Sequence, residues 1–380
     1  MTRLSAAEHL GFSDKLRHLN WGLVLLIVVI GAIGVALLYS AGGKSWQPWA
    51  GPQLIRFVAG LAVMLSLAFV NIRFWLRAAY PLYGIMLLLL VVVEIMGHVG
   101  MGAQRWINLG FFVLQPSELM KIALVLALSK YFHGLEIDEI GRPLVLVPPL
   151  LMVLAPVGLV LLQPNLGTAT LLLLASAAIF FVSGVRWWKF ALVLALVACV
   201  APVAWHHLHD YQKARLMTFM EPDADPLGAG YNIIQSKIAL GSGGLFGKGF
   251  GKGTQSQLQF LPEKHTDFIF VVLAEEFGMV GAMGLLLLYF LLLAYGTIIA
   301  LTCHNQFGRL AAFGLTTSFF LYVFVNVAMV TGTIPVVGIP LPLVSYGGTA
   351  MMTLMIGCGL LLSISVHREV RISRTGISEF

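Results

Sequence analysis

Ten runs of roughly 17 to 35 mostly apolar residues divide this chain, at about 21–40, 54–71, 79–98, 117–133, 144–162, 166–184, 188–205, 267–301, 309–331 and 347–366. A bilayer's hydrocarbon core, ~30 Å thick, is crossed by about 20 helical residues. Inside it every backbone N–H and C=O must bond within the protein, and these runs are far too long for barrel strands. The pattern specifies an all-α integral membrane protein with about ten transmembrane helices. Composition agrees: 59% of the 380 residues are hydrophobic and 11% are charged, more apolar surface than a soluble domain of this length could bury. The first run, WGLVLLIVVIGAIGVALLY, exceeds the ~7–15-residue core of a cleavable signal and is expected to remain as a span.

Basic residues in the short connections orient the bundle. With the N-terminus inside, residues such as Arg17, Arg73, Arg142, Arg186 and Arg371 share one side, while the other receives mainly Lys44 and Arg105. Both termini are therefore read as cytoplasmic, with tails at 1–20 and 367–380. Helices one to seven occupy 21–205, a large extracytoplasmic loop 206–266, and helices eight to ten 267–366. The expected location is the cytoplasmic (inner) membrane, multi-pass, with the large loop facing the periplasm or cell exterior. The net charge of +6 is assigned to topology and to anionic membrane lipids, so no nucleic-acid partner is expected.

Charges are scarce, yet FLPEKHTDFIFVVLAEEFG (260–278) crowds Glu263, Lys264, His265, Asp267, Glu275 and Glu276 where the loop enters the eighth run. That run is longer than one crossing requires. Either its first turns stand above the bilayer, or Glu275 and Glu276 lie within it. Asp267 at a helix start is favoured by the helix dipole, and taken alone it is also an ordinary first-turn residue. Val271 and Ala274 share its face at helical spacing, which would set the carboxylate over a cavity rather than over lipid. A carboxylate half removed from water has a raised pKa and serves as a general base near neutral pH.

In GAQRWINLGFFVLQPSELMK, Pro116 suits a first helical turn, and Glu118 and Lys121 follow three residues apart on one face. Intramembrane charges are costly, face a bundle interior and pair with one another. They form either a structural pair or a charged wall for an anionic ligand, with Arg105 and Trp106 at its mouth. NIIQSKIALGSGGLFGKGFGKG reads as a short amphipathic helix and a glycine-rich turn. It has no phosphate-loop pattern, and a flexible lid carrying Lys248 and Lys252 is the reading that remains. TGTIPVVGIPLPLVSYGG is too apolar for an ordinary loop and too rich in proline for a helix. It is expected to be non-helical backbone packed in protein, lining a cavity.

Together GAQRWINLG, QPSELMK, DPLGAGYNIIQSKIALGSGGLFGKG, FLPEKHTDFIF and GIPLPLVSYGG resemble the SEDS family of peptidoglycan polymerases, over nearly the whole chain and in the family's order. QSKIALGSGG and GTQSQL are closer to its elongation branch than to its division branch. The resemblance implies polymerisation of lipid II into glycan strands at the outer membrane face, with Asp267 as the catalytic residue and Glu118 and Lys121 lining a central cavity. Arg105, Trp106, Arg215 and Lys264 are the further substrate-binding candidates, with Arg105, Lys121 and Arg215 supplying the positive site for the pyrophosphate leaving group. A divalent cation, Mg or Mn, is the only cofactor the chemistry suggests, with no metal ligands assigned and no organic cofactor. Implied partners are lipid II, a class B penicillin-binding protein transpeptidase and other membrane proteins of the elongation complex. One departure stands out: QPNLGT carries Asn165 where the family usually has Asp. A lipid flippase would also explain a charged cavity, and a scaffold for the transpeptidase would explain the partnership. The clustering of charge in the outer half of the membrane favours chemistry at that face.

Overall fold

Each apolar run is a helix in the computed structural model, which describes residues 11–96, 98–100, 103–108, 110, 113–163, 165–207, 213, 217–221, 231–254 and 263–373. A short helix α1 (Phe12–His18) precedes the long ones, so part of the expected N-terminal tail is ordered, with Lys15 Nζ donating to the Phe69 carbonyl at 3.1 Å. The spans are α2 (Trp21–Ala41), α3 (Gly51–Ala68) and α4 (Ile72–Met96), then α5 (Pro116–His133) and, after the single-turn α6 (Ile137–Ile140), α7 (Val147–Leu162). α8 (Leu166–Val182) and α9 (Trp187–His207) follow, then α10 (Tyr231–Ser242), the amphipathic helix expected in the large loop. α11 (Ile269–Thr302), α12 (Gln306–Val330) and α13 (Gly348–Val366) complete the set.

Seven of the described helices are long and apolar enough to cross a membrane. α7 reaches 19 residues with the 3-10 turn Leu144–Leu146 that leads into it, α8 is apolar over Leu166–Val182 and α9 over Trp187–Val200, and α5 carries Glu118, Lys121 and Lys130 within its 18 residues. All four coincide with runs expected to span. Asn side chains start three of the helices: Asn20 accepts from Leu23 N, Asn165 from Thr168 N and Asn305 from Gly308 N. Each answers one of the N–H groups that a helix start leaves unpaired. α5, α12 and α13 are the most enclosed spans. Small residues admit their neighbours, as at Gly314, where a Cβ would lie 2.8 Å from Val125 and from Ile179. Among the described residues, strands are confined to a small antiparallel set, His98–Gly100, Ala103–Asn108 and Val113–Leu114, between α4 and α5.

The over-long eighth span resolves into two helices. Gly278 breaks it with φ 67° and ψ −162°, a conformation that side chains rarely adopt. The part after the break, 279–302, is about 36 Å long at ~1.5 Å per residue, enough to cross alone. The part before it belongs to a cap of loops at the α10 end of the bundle. There Lys248 N and Gly249 N donate to the carbonyls of Glu275 and Glu276 at 3.0 and 2.9 Å, and Met279 N and Val280 N donate to Gly244 and Leu245 at 2.9 and 3.1 Å. The glycine run is therefore an anchored loop rather than a flexible lid. A Cβ at Gly243, Gly247 or Gly278 would collide with the opposing backbone. Glu275, fully buried, pairs with Lys248 Nζ at 2.9 Å, while Glu276, also fully buried, accepts from Ser40 Oγ. Both carboxylates thus knit the cap together, away from the Asp267 turn.

Candidate active site

Residues 331–347 cross the cap without helix, as their prolines require, with Ile339, Leu341, Leu343 and Val344 buried. Buried backbone outside regular structure needs donors from elsewhere, and side chains from several spans supply them. Asn326 Nδ2 on α12 donates to Ile339 O at 2.7 Å, Tyr289 Oη on α11 to Pro342 O at 2.6 Å, and Gln53 Nε2 on α3 to Ser345 O at 2.8 Å. Gly34 of α2 and Gly167 of α8 lie against Val344 and Val337, where a Cβ would come within 2.7 and 3.0 Å of backbone atoms. The expectation of a packed, non-helical element holds.

The Asp267 turn is laced to this segment. Tyr346 N donates to His265 O at 2.8 Å, Ser345 Oγ to Thr266 O at 2.5 Å, and Asn326 Nδ2 to Asp267 O at 2.9 Å. Asp267 is half-buried and its carboxylate faces Gly338, where a Cβ would stand 3.3 Å from Oδ2. Gly338 has φ 73°, so the wall beside the carboxylate is bare backbone. The helix cap is Phe268, one residue later, and it makes no side-chain cap bond. The reason expected for Asp267's surroundings needs correction. Val271 and Ala274 are buried, and the Ala274 carbonyl abuts Gly243, so the helix face below Asp267 is packed. The carboxylate borders the 331–347 segment instead.

Glu118 and Lys121, both buried on α5, form an ion pair at 2.6 Å. Tyr322 of α12 closes a triangle: its hydroxyl donates to Glu118 Oε2 at 2.5 Å and meets Lys121 Nζ. The ammonium also lies 4.3 Å from the centre of the Tyr322 ring. Lys121 lines a cleft between α5, α12 and α13, together with Ser318, Tyr322, Thr353 and Cys358. An ammonium has three N–H donors, and two are engaged by Glu118 and Tyr322. Tyr322 and Asn326 are one turn apart on α12, about 6 Å along the axis. The helix thus ties the charged triangle to the residue holding Asp267. Neither Tyr322 nor Asn326 was singled out by sequence, since a lone polar residue in an apolar run carries no spacing signal.

The other candidates occupy the rim. Arg105, half-buried on the second strand, donates through Nε to Gln163 O at 3.2 Å, next to the Asn165 turn. Trp106 follows it, half-buried, opposite His98 in the strand register. Lys264 is buried, its ammonium 5.9 Å from the Trp49 ring centre, and His265 stacks on that ring at 4.5 Å and 8°. Burial lowers the pKa of both Lys264 and His265 from the usual values; for His265 nearby Glu263 opposes the shift and Lys264 adds to it. Burial thus favours the neutral form of the His265 imidazole. Arg215 lies outside the described residues. Asn165 uses its Oδ1 to cap α8, accepting from Thr168 N at 3.3 Å, the backbone bonding that suits Asn to such a turn. Among the described residues no group of three or more His, Cys, Asp or Glu gathers as a metal-ligand set.

Residues 17–370 match the FtsW/RodA/SpoVE model, described as a cell cycle protein. The chain is 44% identical over 364 residues to peptidoglycan glycosyltransferase MrdB of Escherichia coli K12, covering 94% of this chain and 96% of that one. It is 34% identical over 353 residues to stage V sporulation protein E of Bacillus subtilis, covering 90% and 96%. Among solved structures, a chain from work on the coordination of polymerization and crosslinking by a peptidoglycan synthase complex superposes with a TM-score of 0.81 at 37% identity, covering 92% and 98%. The rod shape determining protein RodA of Thermus thermophilus superposes with a TM-score of 0.71 at 34% identity, covering 93% and 98%.

Proposed function

The chain belongs to the FtsW/RodA/SpoVE family, and from that membership we propose that it is a peptidoglycan glycosyltransferase polymerising lipid II during cell elongation. It is a multi-pass membrane protein. In this reading it sits in the cytoplasmic membrane with both termini inside and the cap outside, as the basic residues of the short connections favour. A glycan hydroxyl attacks the anomeric carbon of a polyprenyl-pyrophosphate-linked sugar. The new glycosidic C–O bond forms as the C–O bond to pyrophosphate breaks. The hydroxyl proton passes to the Asp267 carboxylate, and the polyprenyl pyrophosphate leaves with the bonding pair, its phosphates turned toward cationic groups, Lys121 and Arg105 first. The observation that supports this most is the one-turn separation on α12 between Asn326, which holds Asp267, and Tyr322, which holds the Glu118–Lys121 pair. It ties the turn that bears the base and the helix that bears the cation to one rigid element, as transition-state stabilisation requires.

The test is purified protein in liposomes with lipid II, scored for glycan polymer and for lipid II transfer between leaflets. Polymer formation is the expected result. Transfer without polymer would make the chain a flippase and overturn the proposal.

A class B penicillin-binding protein transpeptidase is the proposed partner. Helix contacts in lipid favour small residues, and Gly278, Gly281, Ala282 and Gly284 fall on one stretch of the sequence that divides in the fold. Gly278 serves the break in α11 and Gly281 abuts Phe277, whereas Gly284 is open beside exposed Met283 and Leu287. A divalent cation, Mg or Mn, is proposed only as an ion carried on the pyrophosphate, the usual manner for Mg, since Asn165 is committed to its cap. Asn165→Asp is accordingly expected to leave both polymer yield and its cation titration nearly unchanged, because Asp and Asn cap helices about equally. A large shift of that titration to lower cation concentration would assign position 165 to cation binding.

A further inference from the structure

We infer that Asn326 is a positioning residue for the reaction: its carboxamide fixes the main chain of Asp267 against the wall that the Asp267 carboxylate faces. The inference rests on Asp267 being the base. Asn326 is fully buried on α12. Its Nδ2 spends one hydrogen on the carbonyl of Asp267 at 2.9 Å and the other on the carbonyl of Ile339 at 2.7 Å. Ile339 follows Gly338, the residue set against Asp267 Oδ2. One amide group therefore spans the two backbone pieces whose separation determines where the carboxylate sits. Through α12 the same side chain fixes that carboxylate relative to Tyr322 and the Lys121 ammonium one turn away.

The side-chain type follows from this task. Two converging carbonyls in a buried place need two donors from one atom, which a primary amide supplies. Leu has nearly the same shape but would leave both carbonyls without donors, and Asp would aim carboxylate oxygens at them. Polar residues in membrane helices also act as simple glue between spans. Glue and positioning separate in their kinetics. Glue alters how much protein folds, whereas positioning alters the chemical step, where an error of about 1 Å costs on the order of 100-fold.

The experiment measures lipid II polymerisation per folded molecule for Asn326→Leu, Asn326→Asp and Asn326→Ser in liposomes, with Asp267→Asn as the reference. Expected for the first two is a kcat lower by about 10- to 100-fold, KM within about twofold, and a displaced acid limb of the kcat–pH profile. Asn326→Ser keeps one donor and is expected to lie between them and the parent. Being small, it serves as the comparison if the larger changes prevent folding. Parental kcat and acid limb per folded molecule, or a change in KM alone, would overturn the inference. Full polymerisation by Asp267→Asn would instead remove the base reading on which it rests, so the two failures are told apart.

Discussion

Asp267→Asn is expected to yield a folded, membrane-inserted protein that makes no detectable glycan polymer. The substitution is close to isosteric. The contact anchoring this residue to α12 is made by its main-chain carbonyl, which accepts from Asn326 at 2.9 Å and survives any change of side chain. The carboxylate is half-buried and faces Gly338 at the edge of the cap, so an amide of the same size fits there. What is lost is the proton acceptor. General-base catalysis alone is typically worth about 100- to 10,000-fold, enough to take polymer below detection in an end-point assay. Electrophoresis of products from liposomes, alongside a thermal midpoint in detergent, checks both halves of the expectation. Near-normal polymer from a stable variant would mean that Asp267 is not the base.

The second large effect concerns the buried triangle of Glu118, Lys121 and Tyr322. Lys121→Met is expected to lose polymerisation and to destabilise the bundle by about 3–5 kcal/mol, because it leaves the buried Glu118 carboxylate without its counter-charge and with only the Tyr322 hydroxyl as donor. Glu118→Lys combined with Lys121→Glu separates the two consequences. It restores opposite charges three residues apart on α5, within reach of the Tyr322 hydroxyl, and is expected to recover much of the thermal stability. It also moves the cation by about 4.5 Å along the helix axis, away from the cleft that Lys121 lines, and is expected to remain inactive. If the swap restores polymer as well as stability, the pair is structural and the leaving group is met elsewhere. Thermal midpoints and polymer yield for the two single variants and the double complete the cycle.

Much of this architecture was legible because membrane spans are local. A helix in lipid satisfies its own backbone within four residues, so about 20 apolar residues suffice to declare one. Pro116 beginning α5, the Glu118–Lys121 pair three residues apart, and the proline-broken 331–347 segment are likewise short-range facts of chain chemistry. The tertiary structure decided what depends on residues far apart in sequence. The crowd of charges from Glu263 to Glu276 reads in sequence as one feature, yet Gly278 and the anchored glycine loop assign Glu275 and Glu276 to the cap and leave Asp267 beside Gly338. Tyr322, Asn326 and Gln53 are single polar residues in apolar surroundings, with no period or motif to mark them. Their meaning appears only when α3, α5, α11, α12 and the 331–347 segment converge, because a buried carbonyl or charge takes its donor from whatever side chain the packing brings within about 3 Å.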